Sequence, residues 1–304
     1  MSVVSDPVQP TADLYHHCNA CGACCDSAPQ LTVRELLYHR RRFIGCLAIQ
    51  RVPRIVRGLA LRHGRICEEN DEHDADELAA RIFHRHPAHN THEILLFTRA
   101  FSYRSSQRCP ALSHDGRCSI HDDAKPNVCL VVPFDALRPD RLQEAVLQSR
   151  RGEFSALGSD CIRTEHSDGF DKVVRHLRVV DDRSAFALQM RRNALESEQK
   201  LWGADVFKIL TPEILRHGQG WSTIPEHGDF TMSIVPVLQT LLKKEPDSRT
   251  WVLEYLADQI ELMQTTIAGA LLRQNRADRS ETAQLRAFLR SNQRLREHLS
   301  LATA

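Results

Sequence analysis

Apolar positions follow two different rhythms along this chain. From Asp182 onward they recur three or four residues apart. Val252, Leu256, Met263, Ile267 and Leu271 make one stripe, and Leu285, Phe288, Leu289, Leu295 and Leu299 another. That spacing puts each set on one face of a helix, a pattern that marks core packing more often than chemistry. Met232 to Lys244 reads as a further helix, in which Pro236 must sit in the first turn or bend it. Thr211-Pro212-Glu213 reads as a helix start with proline just inside it. The first half is shorter-paced. Thr32-Val-Arg-Glu35 matches a capping box ahead of Leu36, Leu37 and the run to Ile44, so a helix is predicted there. Glu93 to Tyr103 is rich in β-formers and predicts a strand leading into Cys109, and Asp140 to Arg150 predicts a helix. Residues 1–14 form a polar, proline-containing lead expected to be disordered or laid over the surface.

Composition narrows the possibilities. With 304 residues, 42% of them hydrophobic, the chain can build one large or two modest domains. A net charge of +1 argues against wholesale wrapping of nucleic acid. Charge is nevertheless segregated: residues 34–65 hold nine arginines against the single acid Glu35, and residues 68–77 hold seven acids. The segment could be a basic face for an anionic substrate or RNA, but a solvated surface partly neutralised by an acidic loop is the simpler reading. His84, His86, His89 and His92, gathered around Pro87, read as a loop with incidental histidines rather than a metal tract. The start of the chain lacks a basic-then-apolar leader, and no apolar run approaches the ~20 residues that span a bilayer. The expectation is a cytoplasmic protein with no membrane association and thiols kept reduced or metal-bound.

The cysteines change the picture most. Residues 18–25 read Cys-Asn-Ala-Cys-Gly-Ala-Cys-Cys, which places Cys18, Cys21, Cys24 and Cys25 in one octet. Two residues between cysteines let the chain fold back so that sulfurs face a common centre and amides point at them. Gly22 stands where such a loop needs a backbone angle that a β-carbon opposes. Adjacent side chains diverge, so Cys24 and Cys25 rarely reach the same ion. Further thiols come from Cys109, Cys118, Cys129 and Cys161. Asp115-Gly116 marks a reversal between Cys109 and Cys118, and Pro126 stiffens the approach to Cys129. Cys46 and Cys67 stand outside the pattern and read as packing residues.

Taken together, Cys-x2-Cys-x2-Cys-Cys, Cys109-Pro-x-Leu, the Asp-Gly turn, Cys118-x-Ile and Lys125-Pro126-x2-Cys129-x3-Pro133 resemble the YkgJ-type cysteine-cluster proteins, over roughly residues 14–165. The resemblance implies a zinc- or iron-chelating domain. This chain has Lys125-Pro126 where that family has Arg-Pro, Cys129-Leu-Val-Val-Pro133 where it has Cys-Arg-x-aromatic-Pro, and His121 where Tyr is common. The flagellin lysine N-methylases are more distantly similar, and their comparable block holds an iron–sulfur cluster.

The expected fold is α+β: a small cysteine-rich metal-binding module with short strands over residues 14–165, then a mainly helical domain or extension over 170–304. The ferredoxin-like triple with a remote fourth thiol favours an iron–sulfur cluster, of the 4Fe-4S kind, over Zn2+. Three functions follow: a metal-binding protein with a structural or redox cluster, an iron–sulfur-dependent enzyme like the lysine N-methylases, or a nucleic-acid binder using residues 34–65. The first is preferred. A protein partner or substrate is open, nucleic acid is disfavoured, and no Gly-x-Gly-x-x-Gly methyl-donor loop is present.

Overall fold

A computed structural model describes residues 13–18, 22–25, 27–61, 65–86, 89–106, 108–121, 124–151, 161–216 and 220–301. Residues 1–12 of the polar lead, and Cys21, lie outside them; the last residue of that lead, Leu14, is not at the surface but buried in a strand. The chain runs β1 (Leu14–His16), α1 (Val33–Tyr38), β2 (Gly45–Pro53), α2 (Glu69–Ile82), β3 (His84–His86) and β4 (His89–Ala100). It continues through α3 (Asn127–Val131), α4 (Gln143–Arg150), β5 (Ile162–Arg163), β6 (Asp171–Arg175) and β7 (Arg178–Val179). The later part holds α5 (Asp182–Glu198), α6 (Ala204–Arg216), α7 (Gly220–Thr223), β8 (Phe230–Ser233), α8 (Val235–Lys244), α9 (Arg249–Arg273) and α10 (Arg279–Leu301). This is the α+β arrangement the pattern predicts, with long helices dominating the later part.

Two antiparallel sheets organise it, in the orders β5-β1-β6-β7 and β3-β4-β2-β8. The second is built on a long β2–β4 pair in register from Gly45↔Ala100 to Pro53↔His92. Alternation along those strands supplies two apolar faces. Leu47, Ile49, Ile94 and Leu96 pack against α8 and α9 through Val237, Leu241, Val252 and Leu256. Ala48, Val52, Leu95 and Phe97 pack against α2 through Leu78 and Ile82, and against Leu195 of α5. The first sheet packs Leu14, Ile162, Val173 and Val174 on Val131 of α3, Leu147 of α4 and Leu188 of α5. Both sheets therefore draw elements from before and after residue 165: β6 and β7 complete the first, and β8 extends the second beside β2. At Gly45 a β-carbon would run into the Tyr255 hydroxyl of α9, so any larger residue there must displace that buried ring.

Several local expectations need correction. The acidic stretch is not a loop but the first part of α2; its polar surface hides a helical period that shows only at the far end, in the buried Leu78, Ala79 and Ile82. The histidine tract is a hairpin of β3 and β4, with Trp221 stacked on His89 at 3.8 Å and the Arg51 guanidinium 5.2 Å from the same ring. Pro212 lies inside α6 rather than at its start, and residues 230–233 are a strand that precedes the helix. The Thr32 capping box is present, but its helix stops at Tyr38 instead of reaching Ile44. None of the helices, among the described residues, is long and apolar enough to cross a membrane.

The arginine-rich stretch is largely paired. Arg54 meets Asp76 at 2.9 Å, Arg57 meets Glu69 at 3.7 Å and Arg65 meets the fully buried Asp71 at 2.8 Å. Arg40 and Arg41 instead reach forward to Asp258 of α9, at 2.6 and 3.1 Å.

Candidate metal centre

The octet begins where β1 ends. Cys18 follows His16 and His17 and is exposed, and Cys24 and Cys25 sit on the 3-10 turn Ala23–Cys25, closed by a hydrogen bond from Cys25 N to Gly22 O. Gly22 takes φ +73°, and a β-carbon there would lie 2.3 Å from Gly116 O and 2.7 Å from Leu112 Cδ1. The glycine thus serves twice: it supplies the left-handed angle and lets the octet press against the turn that carries Cys118. That turn reverses at Gly116, with Leu112 bridged to Cys118. Cys109 is joined to the octet directly, its N–H donating to Cys25 O at 2.9 Å. Cys129 projects from α3. Cys161 accepts the His17 N–H at 3.0 Å beside the β1–β5 pairing.

Seven of the eight candidate thiols therefore come together: Cys18, Cys24, Cys25, Cys109, Cys118, Cys129 and Cys161 all border one cavity of about 1030 Å³. Cys21, the eighth, is not among the described residues. Cys46 and Cys67 lie apart, buried in two other cores. Among the described residues, no disulfide is formed, and no group of three or more His, Cys, Asp or Glu side chains converges closely enough to hold a metal ion. The thiols ring the cavity without closing on a point.

Their electrostatics follow from crowding. The Cys25 thiol is pushed up strongly, first by its hydrogen bond with the Cys24 thiol, then by burial and by the charges of Cys24, Cys109 and Cys129. Cys129 is pushed up to about 12, mainly by burial and by Cys109, with Lys125 opposing. Cys109 is raised by burial, and the Ala111 N–H, 3.4 Å from its sulfur, works the other way. His16, facing the same cavity, is held down to about 4 by burial. These are thiols that stay protonated when alone and that a cation would convert to thiolates by reversing the sign of the local field. Soft sulfur donors with an amide N–H on one of them suit zinc or an iron–sulfur cluster, so the donor set fits either group.

A polar frame fixes the loops that carry these thiols. Glu35 accepts from Thr32 N at 2.8 Å, completing the capping box, and from Asn127 N at 2.7 Å, which caps α3 and so sets Cys129. Arg191, buried in α5, donates to Asn127 Oδ1 at 2.7 Å and to Gln30 Oε1 at 2.8 Å. One side chain thereby ties the segment after the octet to the Cys129 helix. Arg150 lines the cavity too, donating to Pro133 O at 2.6 Å and Phe134 O at 3.1 Å. Neither arginine was marked by the sequence, since nothing local distinguishes them from surface arginines; only the packing of α4 and α5 brings them to the thiols.

Seven residues beyond Arg191, where α5 passes into the π-helical turn Gln199–Gly203, Glu198 accepts from Trp202 Nε1 at 2.7 Å and from Val33 N at 3.2 Å. Burial pushes its carboxyl up to about 7, against the ordinary 4.5. Folding therefore takes up a proton at Glu198, and the site's contribution to stability falls as pH rises from about 4.5 to about 7. His16 and His84, both held near 4 by burial, act oppositely, losing stability as pH falls from 6.5 toward 4. The Glu198→Gln variant is expected to remove only the first effect. Relative to the parent it gains stability between pH 5 and pH 8, by on the order of 3 kcal/mol, as urea melts at both pH values will show. Equal gains at both values would mean that Glu198 does not titrate in this window.

No protein-family model matches the chain, and neither the curated proteins nor the solved structures contain a match. What defines it is its own fold and site: an α+β protein with cysteines from distant stretches drawn around one cavity.

Proposed function

We propose that this is a metal-binding protein whose clustered cysteines hold an iron–sulfur cluster, in a structural or redox role. The observation that carries the reading is that seven thiols, from the octet, the Cys109–Cys118 turn, α3 and the residue before β5, border one cavity. The motif resemblance to YkgJ-type proteins points the same way. Bound there, such a cluster would supply one-electron chemistry or a folding crosslink. The chain's own contribution is to hold the donors: Gly22 seats the octet on the Cys118 turn, Glu35 and Arg191 fix α3, and Ala111 N–H supports the Cys109 sulfur. Arg54, Arg57 and Arg65, held in ion pairs with α2, lend no weight to a nucleic-acid partner. One feature favours a second reading, an enzyme of the lysine N-methylase kind: the cavity continues past the thiols to Gln50, Phe97, Arg99 and Leu195, leaving room for a substrate beside a cluster.

The test is protein purified without oxygen and reconstituted with iron and sulfide. Iron and acid-labile sulfide in equal amounts, with a broad visible absorption, are expected. Colourless protein that retains zinc instead would overturn the iron–sulfur assignment and keep the metal, whereas protein that takes up neither would end the metal-binding reading.

A further inference from the structure

The cavity that the thiols border is lined by both signs of charge, with Asp135, Asp171 and Asp181, the paired Arg99 and Asp229, and Arg183 among its residues. Lys125, Arg150 and Arg191 line the cavity, and Arg42 donates to Ser119 Oγ beside Cys118. Their charges bear on particular sulfurs: Arg42 on Cys109, Lys125 and Arg191 on Cys129, Arg150 on Cys24. The inner two are unusual in their partners. Three other guanidinium groups withdrawn from solvent meet carboxylates, Arg65 with Asp71 at 2.8 Å, Arg99 with Asp229 at 2.5 Å and Arg192 with Asp140 at 2.8 Å, while the buried Arg51 instead meets Pro225 O and the Trp221 ring, away from the thiols. Arg191, 3% exposed, bonds to two neutral amides, and the half-buried Arg150 bonds to two backbone carbonyls. Among the described residues neither has a carboxylate within ion-pair distance. The carboxylates whose charges reach them, Glu35, Glu198 and Asp135 for Arg191 and Asp135 for Arg150, are hydrogen-bonded to other groups: Glu35 to Thr32 and Asn127, Glu198 to Val33 and Trp202, and Asp135 to Leu137 N.

A guanidinium held away from water with no anion in direct contact is costly. An anion in the space these groups face would supply that contact. We propose that Arg150 and Arg191, with Arg42 and Lys125 further out, are the countercharges of an anionic metal–thiolate cluster, and that the inner pair sets its reduction potential. The inference rests on the iron–sulfur reading above. A thiolate-ligated cluster is negatively charged, and reduction adds one more negative charge. A nearby cation therefore stabilises the reduced form more than the oxidised one, and its removal lowers the potential. The exposed Arg42 is screened by salt, whereas charges sealed in the protein are not.

The experiment is a redox titration of the reconstituted full-length protein, followed by its visible absorption at low salt and in about 1 M salt, where screening extends over roughly 3 Å. Arg150→Gln and Arg191→Gln are expected to move the potential downward at both salt concentrations, and Arg150→Lys and Arg191→Lys to return most of the shift. Arg42→Gln should move it at low salt only. Arg191 also bridges Asn127 and Gln30, so if its glutamine variant does not fold, the Arg150 pair and Arg191→Lys decide the matter. Potentials unchanged in Arg150→Gln, or lowered equally by glutamine and lysine, overturn the assignment while leaving the cluster in place. A parent protein that takes up no iron removes the iron–sulfur reading and this proposal together, an outcome distinct from iron-loaded variants with equal potentials.

Discussion

Cys109→Ser or Cys129→Ser will leave a reconstituted protein with little of the parent's iron, while Cys46→Ala keeps all of it. Cys109 and Cys129 border the cavity, one bonded through its backbone to the octet and the other held by α3. A serine hydroxyl ionises far less readily than a thiol and is a harder donor, so the exchange removes a soft ligand without adding bulk. Where metal binding and folding are linked, the serine variants should also melt earlier in the reconstituted state but not in the metal-free state. Cys46 is fully buried against Met263, Ile267 and Phe288, in a core apart from the thiols. Its alanine variant should cost about 1 kcal/mol of stability and no iron. Iron and sulfide per chain, measured beside a thermal melt, separate the two effects. Iron retained in full by both serine variants would show that the ring of thiols is not a ligand set.

The second large effect is expected from Gln259→Leu. Gln259, in α9 and fully buried, accepts from Gly45 N at 2.8 Å and donates to Arg40 O at 2.6 Å and Phe43 O at 3.0 Å. One amide thus satisfies three backbone groups of the turn that launches β2. Leucine has a similar volume and no polar atoms, so those groups are left buried without partners at about 1–3 kcal/mol each. A total loss on the order of 4 kcal/mol places the variant close to the whole stability of an ordinary domain. Urea denaturation followed by both tryptophan fluorescence and helical circular dichroism should shift as one transition. A variant as stable as the parent would mean that the turn finds other partners.

Much of this was legible in the sequence where a local signal and the tertiary result coincide. The Thr32–Glu35 box forms as written, because both partners lie within one turn. The stripes of α9 and α10 bury Val252, Leu256, Met263 and Ile267 on one and Leu285, Phe288, Leu295 and Leu299 on the other, since a long amphipathic face has few alternatives, but Leu289 is only partly buried and Leu271, near the end of α9, is exposed. The cysteine spacing, with Gly22 at its turn, led to the cavity. What stayed hidden depends on partners far away in the chain. Phe230–Ser233 is a strand only because β2 offers an edge, and α2 is polar over most of its surface because its acids answer arginines from residues 54–65. Pro212 is carried within α6, where Thr211 Oγ1 bonds back to Phe207 O. Arg150 and Arg191 illustrate the same limit at the site, for no local pattern announces a guanidinium that will face a ring of thiols.

The second sheet is assembled from β2 and β4 early in the chain and β8 much later, and the turn before β2 is closed by Gln259. During synthesis the thiols through Cys129 leave the ribosome well before that closure: 130 residues separate Cys129 from Gln259, which at ordinary elongation rates is roughly ten seconds. For that interval the nascent chain offers a row of reactive sulfurs with no finished wall behind them. Correct maturation is then a race between completion of the chain and capture of those sulfurs by oxidants or stray metal, and slow translation between the two points would tilt it the wrong way.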